Sequence, residues 1–444
     1  MEKGKPVPDS REFLLRSTTL LVASDRVLEK RVFEDRPLEN RSSGTVSAEI
    51  VIVGAGLAGV TLAAVLGQQG RRVIVVDPRS SCPPLFRAEK IEREQVRLLR
   101  KFGLLEHLLP YAARVSEVRA GFDGRIFKTT PIEQYGIKHA DMVNAVREQT
   151  PAGVDYRQSR VEHIANSNQV QRVRLSGGEE LTCRLVVLAC GVSDGLLTNL
   201  GLSRRVVQRD QSLGFGFNIV ASEARPFDFD ALTYYSFSPS TRIDYITLFK
   251  FRETMRANLF TFRSASDPWV REFIQNPDRM LRRHLPKLSR LIGEYRVTSD
   301  VESGKVDLYK VNEPSLAGVV MIGDAFQSAC PAMGMGLDKV LTDVDVLSEC
   351  IPQWLASPGM SGSKLADFYK HPRKHATDSR ALQGARDHRR LVIDQSLRWR
   401  IRRKLVHLKW EFLSAVWPLR QFRIPALGMS VSQQAAKSET LGWQ

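Results

Sequence analysis

The sequence predicts a mixed α/β (α+β) fold, in which a parallel sheet comes first, a second sheet follows and the chain ends in helices. Residues 48–53 form a short β-branched run that leads into a glycine-rich turn and an Ala- and Leu-rich segment, as a buried parallel strand followed by a helix does. Residues 210–310 contain many short strand patterns with aromatic side chains, and residues 364–425 have a helical, strongly basic pattern. A chain of 444 residues is long enough for two or three domains with a large core.

The composition is that of a folded protein with a positive field. Hydrophobic residues make up 43% and charged residues 26% of the chain, and the formal net charge is +16. Such a field favours anionic partners: nucleotide phosphates, acidic substrates, anionic lipids or nucleic acid. The sequence contains no zinc-finger spacing and no RNA-recognition motif, so we expect no nucleic-acid partner.

Cysteine usage and apolar runs bear on the compartment. The five cysteines form no CxxC pair, which suits a reducing environment. No apolar run approaches the roughly 20 residues of a membrane-spanning helix, and the first residues mix acidic and basic side chains, unlike a signal or transit peptide. We therefore expect a cytoplasmic protein. No spacing of His, Cys, Asp or Glu predicts a metal site.

Three glycines follow the first strand in the order Gly54-x-Gly56-x-x-Gly59. Gly54 permits the tight turn, Gly56 lets the backbone approach a pyrophosphate, and Gly59 lets the helix pack closely on the strand. Because a strand precedes the motif and a helix follows it, residues 48–77 are predicted to form a Rossmann-like dinucleotide-binding βαβ unit.

The same unit supplies further candidates for nucleotide binding. Leu57 and Ala58 lie in the glycine-rich segment just before the predicted helix Val60–Gln69, whose N-terminus supplies unpaired N–H groups and a dipole that attract phosphates. Asp77 ends the next strand, where a carboxylate can accept hydrogen bonds from ribose hydroxyls.

Two later segments resemble the class A FAD-dependent monooxygenases, the para-hydroxybenzoate hydroxylase-like flavoproteins. The first, Phe86-Arg87-Ala88-Glu89-Lys90-Ile91-Glu92 running on to Gly103-Leu104, is similar to the family segment that follows the second strand. The arginine that opens that segment contacts FAD in the family, so the resemblance implies that Arg87 does so here.

The second and stronger resemblance lies at residues 323–338, which run from Gly323-Asp324-Ala325 through Pro331 to two glycines and a helix. It implies that Asp324 binds the ribityl chain and that Pro331 lies near the reactive edge of the isoalloxazine. After Gly334, the backbone of three residues would face the flavin N1/O2 edge: Gly336, Leu337 and Asp338. A helix starting around Leu337 would offset the negative charge of reduced flavin.

The resemblance spans roughly residues 48–348 and implies a domain organisation. We predict a partly disordered N-terminal extension (1–47), a discontinuous FAD-binding domain (48–209 and 311–350), a substrate domain (210–310) and a basic helical C-terminal region (351–444).

Two positions depart from the family pattern. Cys190 stands where the family's middle motif has Asp, and no Arg follows at the family spacing. That Asp is tied to both cofactors in the family, so the way in which this protein meets NAD(P)H stays open. Asp338 stands where the family usually has Asn, and a carboxylate there would repel reduced flavin unless it points away.

The resemblance implies an NAD(P)H-consuming, FAD-dependent monooxygenase that hydroxylates an aromatic or polyketide-like small molecule through a flavin hydroperoxide. We keep two alternatives: a geranylgeranyl-reductase-like flavin reductase or dehydrogenase acting on a lipid-like substrate, and a non-catalytic binding protein of the same fold. No catalytic residue is assigned. The candidates for lining a substrate pocket are aromatic residues of the second sheet: Phe215, Phe217, Tyr235, Tyr245 and Phe249.

The basic C-terminal helices combine Arg and Lys with large apolar residues, among them Trp399, Trp410 and Phe412. Such a helix can lie on an anionic membrane, and a helix that caps the substrate domain would look the same. We therefore consider peripheral membrane contact at this end of the chain.

Overall fold

A computed structural model describes residues 46–222, 226–252, 254–312 and 314–421. The predicted N-terminal extension, apart from its last two residues, and the end of the basic C-terminal region lie outside the described residues.

The described residues contain eighteen strands and thirteen α-helices. The strands are β1 (Val46–Ser47), β2 (Ile50–Val53), β3 (Val73–Asp77), β4 (Lys90–Ile91), β5 (Ala113–Phe122), β6 (Arg125–Gly136), β7 (Val154–Gln158), β8 (Val161–Ala165), β9 (Gln171–Leu175), β10 (Glu180–Cys183), β11 (Leu185–Leu188), β12 (Arg204–Ala221), β13 (Ala231–Tyr235), β14 (Ile243–Phe251), β15 (Thr254–Thr261), β16 (Tyr295–Val297), β17 (Glu302–Val311) and β18 (Val319–Met321). The helices are α1 (Leu57–Gln68), α2 (Arg93–Lys101), α3 (Leu105–Leu108), α4 (His139–Glu148), α5 (Gly195–Asn199), α6 (Pro268–Gln275), α7 (Pro277–His284), α8 (Ser289–Ile292), α9 (Met335–Leu355), α10 (Gly362–Lys370), α11 (Pro372–Ser379), α12 (Ala385–Ile393) and α13 (Leu397–Gln421).

The nucleotide-binding unit is built on a five-stranded parallel sheet with strand order β18-β11-β2-β3-β7. Every residue of β2 and of β11 is buried, which is why both strands read as continuous apolar runs. Helices α1, α4 and α9 bury their apolar side chains against this sheet and one another. The predicted βαβ unit is therefore β2, α1 and β3.

A smaller four-stranded sheet, in the order β1-β10-β9-β8, packs against the parallel sheet. Val173 and Leu181 of the smaller sheet share a buried core with Val51 and Val186 of the parallel sheet.

The second large sheet has nine strands, in the order β16-β12-β15-β14-β13-β5-β6-β4, with β17 paired to β12. Helices α6, α7 and α8 cover one face of it. The sheet also takes in β5 and β6, because β5 pairs in parallel with β13. It thus draws strands from outside the range 210–310 that was predicted for the substrate domain, and the domain boundaries stay a proposal.

The C-terminal part of the described chain is helical from α9 to α13, as predicted. A π-helical segment, Arg380–Gly384, joins α11 to α12. Helix α13 packs against β6. No helix within the described ranges is long and apolar enough to cross a membrane.

Candidate functional site

The turn between β2 and α1 requires two of its glycines for packing. Gly54 has φ +107°, and a Cβ there would lie 2.6 Å from the carbonyl oxygen of Ala189. A Cβ on Gly59 would lie 1.9 Å from the carbonyl oxygen of Gly54. Any side chain at either position would separate α1 from the sheet.

Gly56 differs from the other two because its missing side chain leaves open space. A Cβ there would meet no described atom within 4 Å. Gly56 is the N-cap of α1, whose first turn includes Leu57 and Ala58, and no described side chain caps that turn. Free N–H groups beside open space fit the pyrophosphate of a dinucleotide.

Asp77 lies at the end of β3, beside the glycine turn, as predicted. Its Oδ2 accepts a hydrogen bond from the backbone N–H of Ala55 at 2.9 Å, and its Oδ1 accepts one from the backbone N–H of Arg79 at 2.9 Å. The carboxylate therefore also holds the turn, and a ribose would have to use its remaining lone pairs.

Arg87 and Asp324 meet although 237 residues separate them in sequence. Arg87 Nη1 lies 3.0 Å from Asp324 Oδ2, and both side chains are partly exposed. The hydroxyl of Tyr309 donates to the backbone carbonyl of Asp324 at 3.1 Å. The two segments that carry the family resemblance thus form one site.

The segment after Pro331 is a short 3₁₀ turn that ends at Gly334, which has φ +67° and is the N-cap of α9. The sequence predicts a helix that starts around Leu337, but the helix begins at Met335, because Gly334 makes the left-handed turn that precedes it. Gly336, Leu337 and Asp338 consequently lie in its first turn. No described atom lies within 4 Å of a Cβ built on Gly334 or Gly336, which fits the edge of a flat ring.

Asp338 points towards α2 and accepts a hydrogen bond from Gln95 Nε2 at 3.0 Å. Burial raises the pKa of Asp338 above its ordinary value, although the Gln95 bond acts in the opposite direction. The Gln95 bond directs this carboxyl group to α2, and a carboxyl group that points away from the flavin would not repel its reduced form.

A buried group of charges fixes the turn that carries Asp324. Asp343 Oδ2 accepts from the backbone N–H of Gly323 at 2.8 Å. The Nζ atoms of Lys339 and Lys374 lie 2.9 and 2.7 Å from the Asp343 carboxylate. Burial alone would raise the pKa of Asp343, but the two ammonium groups hold it below its ordinary value. The ionised carboxylate therefore anchors this turn to α9 and α11.

Sequence reasoning missed the part played by Arg204 beside the altered middle motif. Arg204 donates to the backbone carbonyls of Gly191 at 2.8 Å and Val192 at 2.7 Å. Its guanidinium carbon lies 4.8 Å from the ring centroid of Tyr309. The arginine thus connects the loop after Cys190 to the Tyr309–Asp324 contact. It lies outside the family spacing, so no motif indicated it.

The aromatic candidates of the second sheet divide between its two faces. Phe215 and Phe217 face α6, with ring centroids 4.8 and 5.9 Å from that of Phe273, so they belong to the core and not to a pocket. Tyr245 lies on the opposite face, where its hydroxyl donates to the backbone carbonyl of Ala332 at 2.8 Å.

Phe249 packs in a separate apolar cluster at the β5 side of the sheet. Tyr235 lies beside Tyr245, with ring centroids 5.8 Å apart. Of the five aromatic candidates, the two tyrosines lie together on the face that meets the Pro331–Gly334 turn.

Two polar side chains on this face have buried oxygens that bond to nothing. Thr247 and Asn258 are cross-strand neighbours of β14 and β15, two register pairs from Tyr245 and Phe260 and therefore on the same face. Thr247 Oγ1 and Asn258 Oδ1 are buried without a hydrogen-bond partner among the described residues. A buried unpaired oxygen costs about 1–3 kcal/mol, and a hydrogen bond to a bound molecule would offset that cost.

A family model described as an FAD binding domain matches residues 47–381. Squalene epoxidase 4 of Arabidopsis thaliana is 23% identical in an alignment of 367 residues that covers 77% of this chain and 69% of that protein. A 3-(3-hydroxy-phenyl)propionate/3-hydroxycinnamic acid hydroxylase of Mycolicibacterium vanbaalenii is 39% identical over 70 residues, which are 16% of this chain and only 12% of that protein.

Among solved structures, p-nitrophenol 4-monooxygenase from Pseudomonas putida matches with a TM-score of 0.65 at 17% identity, covering 84% of this chain and 94% of that one. A probable FAD-dependent monooxygenase from Pseudomonas aeruginosa matches with a TM-score of 0.62 at 18% identity, covering 78% and 97%. The chain therefore belongs to the FAD binding domain family. The predicted fold class, the FAD cofactor and the assignment to the FAD-dependent monooxygenases are confirmed.

Proposed function

We propose that this protein hydroxylates an aromatic or polyketide-like small molecule at the expense of NAD(P)H, and that the substrate binds on the face of the nine-stranded sheet that carries Tyr245. The observation that carries the proposal is the pair of buried, unpaired oxygens of Thr247 and Asn258 on that face. A substrate hydroxyl group would satisfy both, because it can donate to Asn258 Oδ1 and accept from the hydroxyl of Thr247.

The residues predicted for FAD would hold successive parts of the cofactor. The open space at Gly56 would receive the pyrophosphate, and Asp77 would receive the ribose. Arg87 and Asp324 would hold the middle of the cofactor, and the turn from Pro331 to Asp338 would hold the isoalloxazine. Bound FAD would supply the electron transfer and oxygen activation, and the protein would orient both molecules and exclude water.

Burial on this face affects the protonation of the hydroxyl groups of Tyr235 and Tyr245. Burial raises the pKa of Tyr235 to about 12, with the nearby charge of Asp244 acting in the same direction. The pKa of Tyr245 is raised for the same reasons. Both hydroxyls therefore stay protonated at neutral pH. Tyr245 donates its proton to the carbonyl of Ala332, which leaves the Tyr235 hydroxyl as the donor for a bound molecule.

The electron donor is proposed from relatives, since Cys190 removes the family residue tied to NAD(P)H. One relative is named as a probable NADH-specific resorcinol 4-hydroxylase of Rhodococcus jostii, at 38% identity over 68 residues, 15% of this chain. Its name supports a nicotinamide donor and a phenolic substrate. The name of the squalene epoxidase, which aligns with more of this chain, supports a lipid-like substrate as the second candidate.

The function is tested by an activity screen with the purified protein. Phenols, aromatic acids, polyketides and squalene are offered with NADH or NADPH, and nucleotide oxidation is compared with hydroxylated product. A substrate that gives matched product formation supports the proposal. Double-bond reduction without oxygen uptake would instead identify a reductase.

Two variants locate the substrate. Thr247→Val and Asn258→Leu should each lower kcat/KM by about tenfold to a hundredfold, the range expected for one lost hydrogen bond to substrate. Thr247→Val should reduce neither FAD content nor the free energy of unfolding, because it removes only an unpaired buried hydroxyl. Asn258→Leu also removes the amide group that hydrogen-bonds Glu89, so its kcat/KM is compared at equal FAD content. Thr182→Val, in the separate four-stranded sheet, is the matched control. Unchanged kcat/KM in both variants would show that the substrate does not bind on this face.

We also propose, in keeping with the sequence, that the protein is cytoplasmic. No feature of the described residues supports a nucleic-acid partner.

A further inference from the structure

Helix α13 has two apolar faces, and only one of them packs against the protein. The packed face includes Trp399 and Trp410, which are both buried. The Trp410 ring stacks on Phe127 with centroids 5.4 Å apart, and it lies 4.7 Å from the ring of Tyr235. These two tryptophans therefore cap the second sheet and are not free for a membrane, which the sequence had left open.

The other apolar face is exposed along the helix. Its side chains keep half or more of their surface in solvent: Leu397 70%, Ile401 51%, Leu405 60%, Leu408 50% and Phe412 67%. At about 100° per residue these five positions fall within an arc of roughly 80°, opposite the tryptophans. We call them the α13 stripe.

The stripe is a patch and not a scatter of single residues. Eleven large hydrophobic residues of the described chain are exposed, and five of them form the stripe. The other six occur singly elsewhere along the chain. A contiguous apolar patch of this kind marks an interaction surface.

Basic side chains border the stripe on both sides. Five of them are exposed: Arg398, Arg400, Arg402, Lys404 and Lys409. By the helical repeat, Arg400 and Lys404 lie on one border and the other three lie on the opposite border. Glu411 is the one acidic residue between positions 397 and 412 of the sequence.

We propose that the α13 stripe docks on an anionic membrane surface, with its apolar side chains in the headgroup region and its basic borders against lipid phosphates and carboxylates. The stripe is about 23 Å long at 1.5 Å per residue, and the opposite side of the helix packs against β6. The helix would therefore dock in the membrane plane without crossing it.

Charge decides between this occupant and two others. A second copy that covered the stripe with its own would bring two basic borders together, which is unfavourable. Nucleic acid would neutralise the borders but leave the five apolar side chains in water. An anionic bilayer alone satisfies both features.

The test is co-sedimentation of the full chain, loaded with FAD, with two kinds of vesicle. One kind is phosphatidylcholine alone, and the other is phosphatidylcholine and phosphatidylserine in equal parts. We expect binding to the mixed vesicles only, and we expect that binding to weaken as salt is raised.

Variants assign the binding to the stripe and its borders. Arg400→Glu combined with Lys404→Glu should lower the partition coefficient at least about thirtyfold, since each basic residue near an anionic surface contributes a factor of about five. Leu405→Ser combined with Phe412→Ser should abolish binding. The matched control is Val170→Ser combined with Ile274→Ser, two exposed hydrophobic residues outside α13, which should bind as the wild type does.

All these positions are exposed, so thermal unfolding should change little and flavin content should stay the same. The proposal is overturned if the wild type binds neither vesicle, or if the control loses as much binding as the stripe variant. It is equally overturned if light scattering shows a dimer that the stripe variant dissociates while vesicle binding persists. None of these readouts depends on hydroxylase activity.

Discussion

At the scale of single residues, the fold controls the protonation of His139. This residue opens α4, and burial lowers its pKa to about 4, with the positive charge of Arg87 acting in the same direction. The histidine is therefore neutral at physiological pH. A neutral ring beside Arg87 leaves that guanidinium as the local positive charge for an anionic cofactor.

The lowered pKa predicts a specific loss of stability in acid. The unfolded chain takes up a proton near its ordinary pKa of about 6.5, whereas the folded protein resists until about 4, so stability present at neutral pH is lost as pH falls between these values. The free energy of unfolding in urea should be about 2 kcal/mol lower at pH 5 than at pH 7 from this group alone. His139→Gln should flatten the profile by that amount, and an identical profile in the variant would contradict the assignment.

Gly56 separates cofactor binding from folding. A Cβ added at Gly56 meets no described atom within 4 Å, and the valine side chain of Gly56→Val would extend into the space proposed for the pyrophosphate. We expect the apoprotein to lose no more than about 1 kcal/mol of stability, which is the cost of a poorer N-cap. We expect the Kd for FAD to rise at least a hundredfold, which corresponds to about 3 kcal/mol of binding free energy. Gly153→Ala, where a Cβ makes only ordinary contact, is the control. Wild-type flavin content in the Gly56 variant would refute the site.

At the scale of elements, the turn between β18 and α9 depends on buried charges from two helices. Asp343→Asn would remove one of the two buried carboxylates that pair with Lys339 and Lys374, the other being Asp378, and would weaken the anchor of Gly323. Breaking a buried ion group typically costs 3–5 kcal/mol, so we expect the free energy of unfolding to fall by about that amount and FAD to dissociate readily.

The control for that prediction lies on the same helix. Glu349 is half exposed and pairs with Lys101 and Arg373 at the surface. Glu349→Gln should cost no more than about 1 kcal/mol. If calorimetry shows equal losses for the two variants, the buried group does not support the turn.

Some strands and helices could be predicted from the sequence, and others could not. The strands β2, β3 and β11, the helix α1 and the glycine turn between them were predictable, because their signals are local: apolar runs, glycine spacing and helix-forming composition. Pairing of β5 with β13 was not predictable, since it joins segments far apart in sequence and leaves no local pattern. The inward direction of Trp399 and Trp410 depends likewise on which sheet α13 covers.

The candidate site shows the same division. Motifs identified Gly56, Asp77 and Asp324 because the family fixes their spacing. Arg204 was missed because its contacts are to backbone carbonyls, which can be reached from many positions in sequence. Thr247 and Asn258 were missed because an unpaired oxygen can be recognised only once the neighbouring strands are in register.

At the scale of the whole molecule, the chain brings three distant parts to one place. The glycine turn of the parallel sheet, the Arg87–Asp324 pair and the Tyr245 face of the second sheet come from separate stretches of the sequence. Helix α13 covers the second sheet and exposes its stripe on the outside. We therefore propose that the flavin is held between the two large sheets and that the substrate binds on the second of them.

The visible absorption spectrum of the purified protein, recorded with added FAD and then with NADH or NADPH in air, tests this account most directly. We predict the bands of bound oxidised flavin, which bleach when the reduced nucleotide is added and return as oxygen reoxidises the flavin. A protein that stays colourless and takes up no added FAD would contradict the central claim.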